Sequence, residues 1–88
     1  MFIVYVLYSP KFNQIYIGYT SDIANRLLSH NELATKGHTI KYRPWKLAYS
    51  EEFSTKTEAI IREKQLKNAT GREFIWDIVH SKFNSSDV

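Results

Sequence analysis

"QIYIGYTSDIANRLLSHN", running from Gln14 to Asn31, decides how this chain is read. Its first half is rich in β-branched and aromatic residues and alternates as a strand does, with Ile15 and Ile17 on one face and Tyr16 and Gly18 on the other. A glycine inside such a run leaves a gap beside Tyr16, of the kind a bulge or a close backbone approach uses. "TSD" then offers hydroxyl and carboxylate caps, and the spacing predicts a helix from Ile23 to Asn31 with the apolar stripe Ile23, Ala24, Leu27 and Leu28. Asp22, Arg26 and His30 recur every four residues along one border of that stripe. A tyrosine, a backbone opening, an arginine and a histidine are thereby carried by one short strand–helix unit.

Upstream, "FIVYVLY" has the same strand composition, and the break "SPKFN" joins it to the second strand as an antiparallel hairpin. Downstream, Glu32 to Arg43 shows no sustained period and reads as a basic, aromatic surface loop. "PWKLAYSEEF" gives a third strand, with Trp45, Leu47 and Tyr49 alternating against Lys46, Ala48 and Ser50. "TKTE" (Thr55 to Glu58) has the form of a capping box and opens a second helix to about Asn68. "TGRE" (Thr70 to Glu73) repeats that form and opens a third helix with Phe74, Ile75, Ile78 and Val79 on its apolar side. The expectation is an α/β (α+β) domain over 1–83, a small three-stranded antiparallel sheet flanked by helices in the order ββαβαα, with 84–88 as a frayed tail.

Eighty-eight residues allow one domain with a modest core. The absence of cysteine rules out disulfides and thiolate metal sites, so the cytoplasm is the expected location. The opening run "MFIVYVLY" is too short to span a membrane and has no basic leader. A formal charge of +3 permits a polyanionic partner without requiring one.

The second helix carries the most informative anomaly. Ala59, Ile60 and Leu66 mark its buried side, and Glu63 lies between them on the helical wheel. An ionised carboxylate in an apolar stripe must be paired, protonated, hydrogen-bonded or bound to a cation. The plain alternatives are an ion pair with Arg26 or a stripe that runs along the sheet's rim. Taken singly, Tyr16, Gly18, Arg26 and His30 also have structural readings as packing, bulge, counter-ion and surface residue.

Together, the matches from Tyr5 to Glu63 resemble the GIY-YIG nuclease family, and within it the small bacterial proteins that consist of little beyond the catalytic domain. "IVY" (Ile3 to Tyr5) stands at the first motif and "YIG" (Tyr16 to Gly18) at the second, while Arg26, His30 and Glu63 stand at the catalytic positions that follow. "YIGYTSD", "PWKL" and "EAIIREKQLK" are also similar to that subfamily. Ile3 replaces the first glycine, and Tyr19 stands where several members carry a lysine.

The resemblance implies a metal-dependent endonuclease that hydrolyses DNA phosphodiester bonds, in repair or recombination. Glu63 would hold one Mg²⁺ or Mn²⁺, with water and substrate phosphate completing its ligands. Arg26 would clamp the phosphate, Tyr16 would be the base, and Tyr5 and His30 would orient the water or share its proton. A phenol, with an ordinary pKa near ~10, needs nearby cations for such a role. Gly18 would let the substrate approach closely, beside Tyr19.

Lys36, Lys41, Arg43 and Lys46, interleaved with His38, Tyr42 and Trp45, suit a nucleic-acid surface, unless the loop is merely solvated beside a core tryptophan. Arg62, Lys64, Lys67 and Arg72 form a second basic group. The competing expectation is a nucleic-acid-binding or interaction module that keeps the fold without useful turnover. The form of DNA is left open, RNA is not excluded, and a protein partner could supply targeting.

Overall fold

The computed structural model describes residues 1–35 and 37–84. Strands β1 (Phe2–Ser9) and β2 (Gln14–Thr20) form the expected hairpin, and β3 (Lys46–Phe53) pairs with the other side of β1, so the antiparallel sheet has the order β2-β1-β3. The helices are α1 (Ile23–Leu28), α2 (Lys56–Lys67) and α3 (Ala69–Asn84), which gives ββαβαα. In the hairpin loop Asn13 takes a left-handed conformation, and its side-chain oxygen accepts from the Tyr8 hydroxyl at 2.8 Å.

The two faces of β1 build two cores. Val4, Val6 and Tyr8 pack with Ile17, Ala48, Ala59, Leu66, Ile75 and Val79, beneath α2 and α3. Tyr5 and Leu7 pack with Trp45, joined by Ile3, Tyr16, Ile23, Leu27, Tyr42 and Leu47. Each fully buried aliphatic or aromatic side chain contributes on the order of 1.5–3 kcal/mol.

Five local expectations are corrected. The first helix ends at Leu28 and continues as one π-helical turn, Ser29–Leu33, closed by Ala34 N donating to Ser29 O at 3.0 Å. The wider turn brings His30 inward, whereas Ala24 and Leu28 of the expected apolar stripe are exposed. In β3 the alternation breaks at Ala48, because the register steps from Val6↔Tyr49 to Leu7↔Leu47 and leaves one residue unpaired. That bulge places Tyr49 on the face opposite Leu47, against the α2–α3 core.

The third helix starts at Ala69, and its first turn is satisfied by Asn68, whose Oδ1 accepts from Gly71 N at 2.8 Å, instead of by Thr70. Its buried side centres on Ile75 and Val79, with Trp76 and Phe83 beside them, while Phe74 turns outward. The cap at Thr55 does form: its hydroxyl accepts from Glu58 N at 3.3 Å and donates to Glu58 Oε1 at 3.0 Å. Of the tail expected over 84–88, Asn84 closes α3 and 85–88 lie outside the described residues.

Candidate active site

Where β2 ends and β1 begins, a cavity of about 410 Å³ is bordered by Tyr5, Tyr16, Gly18, Tyr19, Arg26 and Glu63, with Lys56, Phe2, Thr20 and Ser21 completing its rim. Three pieces of local structure aim these groups. The hairpin pairs Tyr5 with Gly18 directly across β1 and β2. Thr20 and Asp22 then turn the chain, Thr20 Oγ1 accepting from Asp22 N at 3.0 Å and Asp22 Oδ1 capping Asn25 N at 3.1 Å, so α1 leaves the strand with Arg26 toward the cavity rim. Glu63 arrives from α2, on the opposite layer.

Gly18 is required by Tyr5. A Cβ at Gly18 would lie 2.7 Å from the Tyr5 hydroxyl and 2.9 Å from its Cζ, with Tyr16 Cε1 at 3.2 Å. The space above the glycine thus receives the phenol of the facing strand, a closer occupant than the substrate backbone expected there.

Behind Tyr5 runs a buried polar relay. The Tyr5 hydroxyl lies 3.1 Å from His30 Nε2, and His30 Nδ1 lies 3.0 Å from Thr39 Oγ1. Burial, then the charge of Tyr16, raises the Tyr5 pKa far above a phenol's ordinary value, so this hydroxyl stays protonated. Burial also lowers the His30 pKa, assisted by the cationic Arg26 and Arg43. With a protonated phenol and a neutral imidazole, one ring nitrogen donates and the other accepts: either Tyr5 O–H donates to Nε2 and Nδ1–H to Thr39, or Nε2–H donates to Tyr5 and Thr39 O–H to Nδ1. The ring of His30 also lies 4.7 Å from that of Tyr16, centroid to centroid.

Of the two plain fates expected of Glu63 alone, the pairing with Arg26 is not found, while its place beside the edge strand β2 agrees with a stripe at the sheet's rim. Its side chain is 16% exposed, and its ion pair is with Lys67, one turn along the helix at 3.4 Å, and not with Arg26. Among the described residues no group of three or more His, Asp or Glu could enclose a metal. A single carboxylate on an open cavity suits a hard divalent ion that keeps most of its waters and takes further oxygens from a phosphate; it does not suit a closed structural site.

The basic loop divides in two. Arg43 is held inside the protein by donating to the carbonyls of His30, Ser29 (3.2 Å) and Ala34 (2.8 Å), which ties down the end of the π turn. This accounts for Arg43 without a nucleic acid. Trp45 is a core residue, its indole N–H donating to Thr39 O at 2.9 Å. Lys41 and Lys46 are exposed and stand apart from the cavity, and Lys36 lies outside the described residues. In the second group Arg62 is engaged by Glu51 at 2.9 and 3.0 Å.

Sequence reasoning passed over Thr39, Asn31 and Lys56. Asn31 fixes the backbone of Trp45 from both sides, donating to its carbonyl at 2.9 Å and accepting from its N–H at 2.6 Å. Lys56 carried a usable signal: seven residues before Glu63, it shares that residue's helix face. It gives the cavity a lysine from α2, where β2 has Tyr19.

The GIY-YIG catalytic domain model matches residues 1–75. A UPF0213 protein of Bacillus velezensis is 39% identical over 61 residues, covering 69% of this chain and 62% of that protein. One from Staphylococcus saprophyticus is 40% identical over 57 residues, covering 65% and 70%. UPF0213 protein YazA of Bacillus subtilis is 38% identical over 63 residues, covering 72% and 64%. The matched stretch is thus under two thirds of the length of two of these relatives, while the family model's match over residues 1–75 contains every residue that borders the cavity. With the family model matched over most of this chain's length, and Tyr5, Tyr16, Arg26 and Glu63 gathered at one opening, the chain belongs to the GIY-YIG family and has its nuclease-like catalytic fold.

Proposed function

We propose that this protein is a divalent-metal-dependent endonuclease that hydrolyses DNA phosphodiester bonds, acting in the cytoplasm on DNA under repair or recombination. The observation that carries the reading is the convergence of Arg26, Lys56, Tyr16 and Glu63 on one open cavity from two layers of the fold. Phosphodiester hydrolysis needs charge neutralisation at the phosphate, a nucleophile in line with the leaving oxygen, and a destination for a proton.

Arg26 and Lys56 supply cations, the guanidinium suiting a two-point grip on phosphate oxygens. Glu63 would hold a Mg²⁺ or Mn²⁺ ion, which supplies Lewis-acid polarisation of the phosphate when bound. Reacting as its phenolate, Tyr16 would take the proton of the attacking water at its oxygen and become the neutral phenol. Tyr5 stays protonated and orients the water, held by the neutral His30 and Thr39 behind it.

The test is a panel of nicked, branched, single-stranded and plain duplex DNA, with an RNA counterpart, incubated with Mg²⁺ or Mn²⁺ and compared with Glu63→Gln. The wild type should cut at least one DNA form. Glu63→Gln should cut none while keeping its fold, since it removes a charge from a largely buried position at similar volume. Cleavage by Glu63→Gln at the wild-type rate would overturn the carboxylate's role, and binding of every DNA form without cleavage would leave a binding module in place of an enzyme.

A further inference from the structure

The catalytic cavity has a neighbour along the same strand. A slot of about 200 Å³ is lined by Ile15, Tyr16, Ile17, His38, Lys67 and Arg72. Tyr16 borders both recesses. No strand covers this side of β2, which is an edge of the sheet.

The chemistry of the slot differs from that of the cavity. None of the described residues lining it is acidic, and two permanent cations stand at it. Arg72 Nε donates to Lys67 O at 3.3 Å, which steadies the side chain and leaves its terminal nitrogens for another acceptor. Lys67 is 47% exposed and reaches Glu63 at 3.4 Å, so it stands between the two recesses. The remaining surface is the aliphatic Ile15 and Ile17 with the rings of Tyr16 and His38. Cations at the rim of an apolar, aromatic floor suit a phosphate attached to a sugar and base better than a free inorganic anion.

We infer that this slot is a second phosphate subsite, for the backbone phosphate of the same nucleic-acid strand that lies next to the one presented for cleavage. The inference rests on the nuclease reading only for the identity of the polyanion. At ~3.3 Å per strand residue, Ile15 and Gly18 stand about 10 Å apart along β2, so one short oligonucleotide can occupy both recesses. The strand's open edge then serves as the track, and Tyr16 divides the two positions.

Binding of a fluorescent single-stranded oligonucleotide, followed by anisotropy in EDTA across about 25–200 mM salt, tests this without turnover. The double variant Lys67→Gln/Arg72→Gln should bind about tenfold more weakly at the low-salt end, and its log–log salt slope should be shallower by about 0.7 units, the share of one phosphate on a single strand. The charge-conserving Lys67→Arg/Arg72→Lys variant should restore the slope, which separates charge loss from misfolding. Lys82→Gln removes a charge beside Ala48 on the opposite edge strand and should leave the slope as it is.

A double variant with the wild-type slope, an equal effect of Lys82→Gln, or no binding by the wild type at low salt would each overturn the subsite. If binding behaves as expected and no DNA is cut with metal present, the nuclease reading fails while the subsite stands. Normal cleavage with an unchanged salt slope removes the subsite and leaves the nuclease reading in place.

Discussion

The two faces of β1 are built by different rules. Toward α2 and α3, Val4, Val6 and Tyr8 meet Ala59, Leu66, Ile75 and Val79 in an apolar layer sealed by two regular helices. Toward α1, the same strand sends Tyr5 into a hydrogen-bonded chain with His30 and Thr39, covered by a two-turn helix, a π turn and the 3₁₀ turn His38–Tyr42. The first face stores stability in area removed from water. The second buries Tyr5, His30 and Thr39, which is tolerable because these three partner one another, and it uses irregular turns to aim them. Chemistry and stability are thus separated by the thickness of one strand, and substitutions on the two faces should have different signatures.

Tyr16→Phe should show the largest effect. Among the described residues the Tyr16 hydroxyl makes no hydrogen bond, so the ring's packing survives its loss and the melting temperature should hold. If the phenol is the base, the chemical step should slow by about 10²–10⁴-fold, equivalent to roughly 2.7–5.5 kcal/mol of barrier. Single-turnover cleavage at the wild-type rate would remove Tyr16 from the proton transfer.

Gly71→Ala attacks the other face. A Cβ there would lie 2.2 Å from Gln65 O and 2.5 Å from Leu66 Cα, both backbone, so α3 must move away from the end of α2. The expected loss is about 3 kcal/mol or more by urea unfolding, with turnover per folded molecule little changed. Equal damage to turnover would show that the faces are not independent.

Gly18→Ala combines the two signatures at smaller size. The methyl displaces the Tyr5 hydroxyl from His30, costing about 1–3 kcal/mol and misplacing the phenol, so stability and cleavage should fall together. A variant of full stability and full activity would mean that the relay adjusts freely.

The smallest effect is one of pH. Because folding lowers the His30 pKa below its ordinary value near 6.5, the unfolded chain binds the proton more readily. Its contribution is fully present above the unfolded value and is lost as pH falls through the folded one. Between about pH 7.5 and pH 5 the wild type should therefore lose more stability than His30→Gln, as read from urea midpoints. Parallel losses would mean that His30 charges as easily folded as unfolded.

These signatures also mark what was legible in the sequence. Period-2 and period-3.6 patterns identified every regular element and its order, because those periods follow from burying one face of a strand or helix. The features that depart from a period were hidden. The π turn at Ser29, the bulge at Ala48 and the cap at Asn68 each shift a face by a single residue or start an element early, and local propensity is blind to such shifts. Glu63 stood out because it broke a pattern. The carbonyl partners of Arg43 were hidden too, because a guanidinium in a polar loop looks the same in sequence whether it meets phosphate or backbone carbonyls.

The pairing of Asn31 with the backbone of Trp45, together with Arg43 on the carbonyls of the π turn, has a consequence for how the surface can vary. Both ends of the segment between Ala34 and Thr39 are fastened to the body, and His30 and Thr39 owe their positions to those fastenings. Chain inserted within that segment lengthens a loop whose closure is already achieved, at an added cost of about 0.6 kcal/mol per doubling of length. The segment is therefore an exchangeable part: new sequence can be grafted between these fastened ends, and the relay behind Tyr5 keeps its alignment.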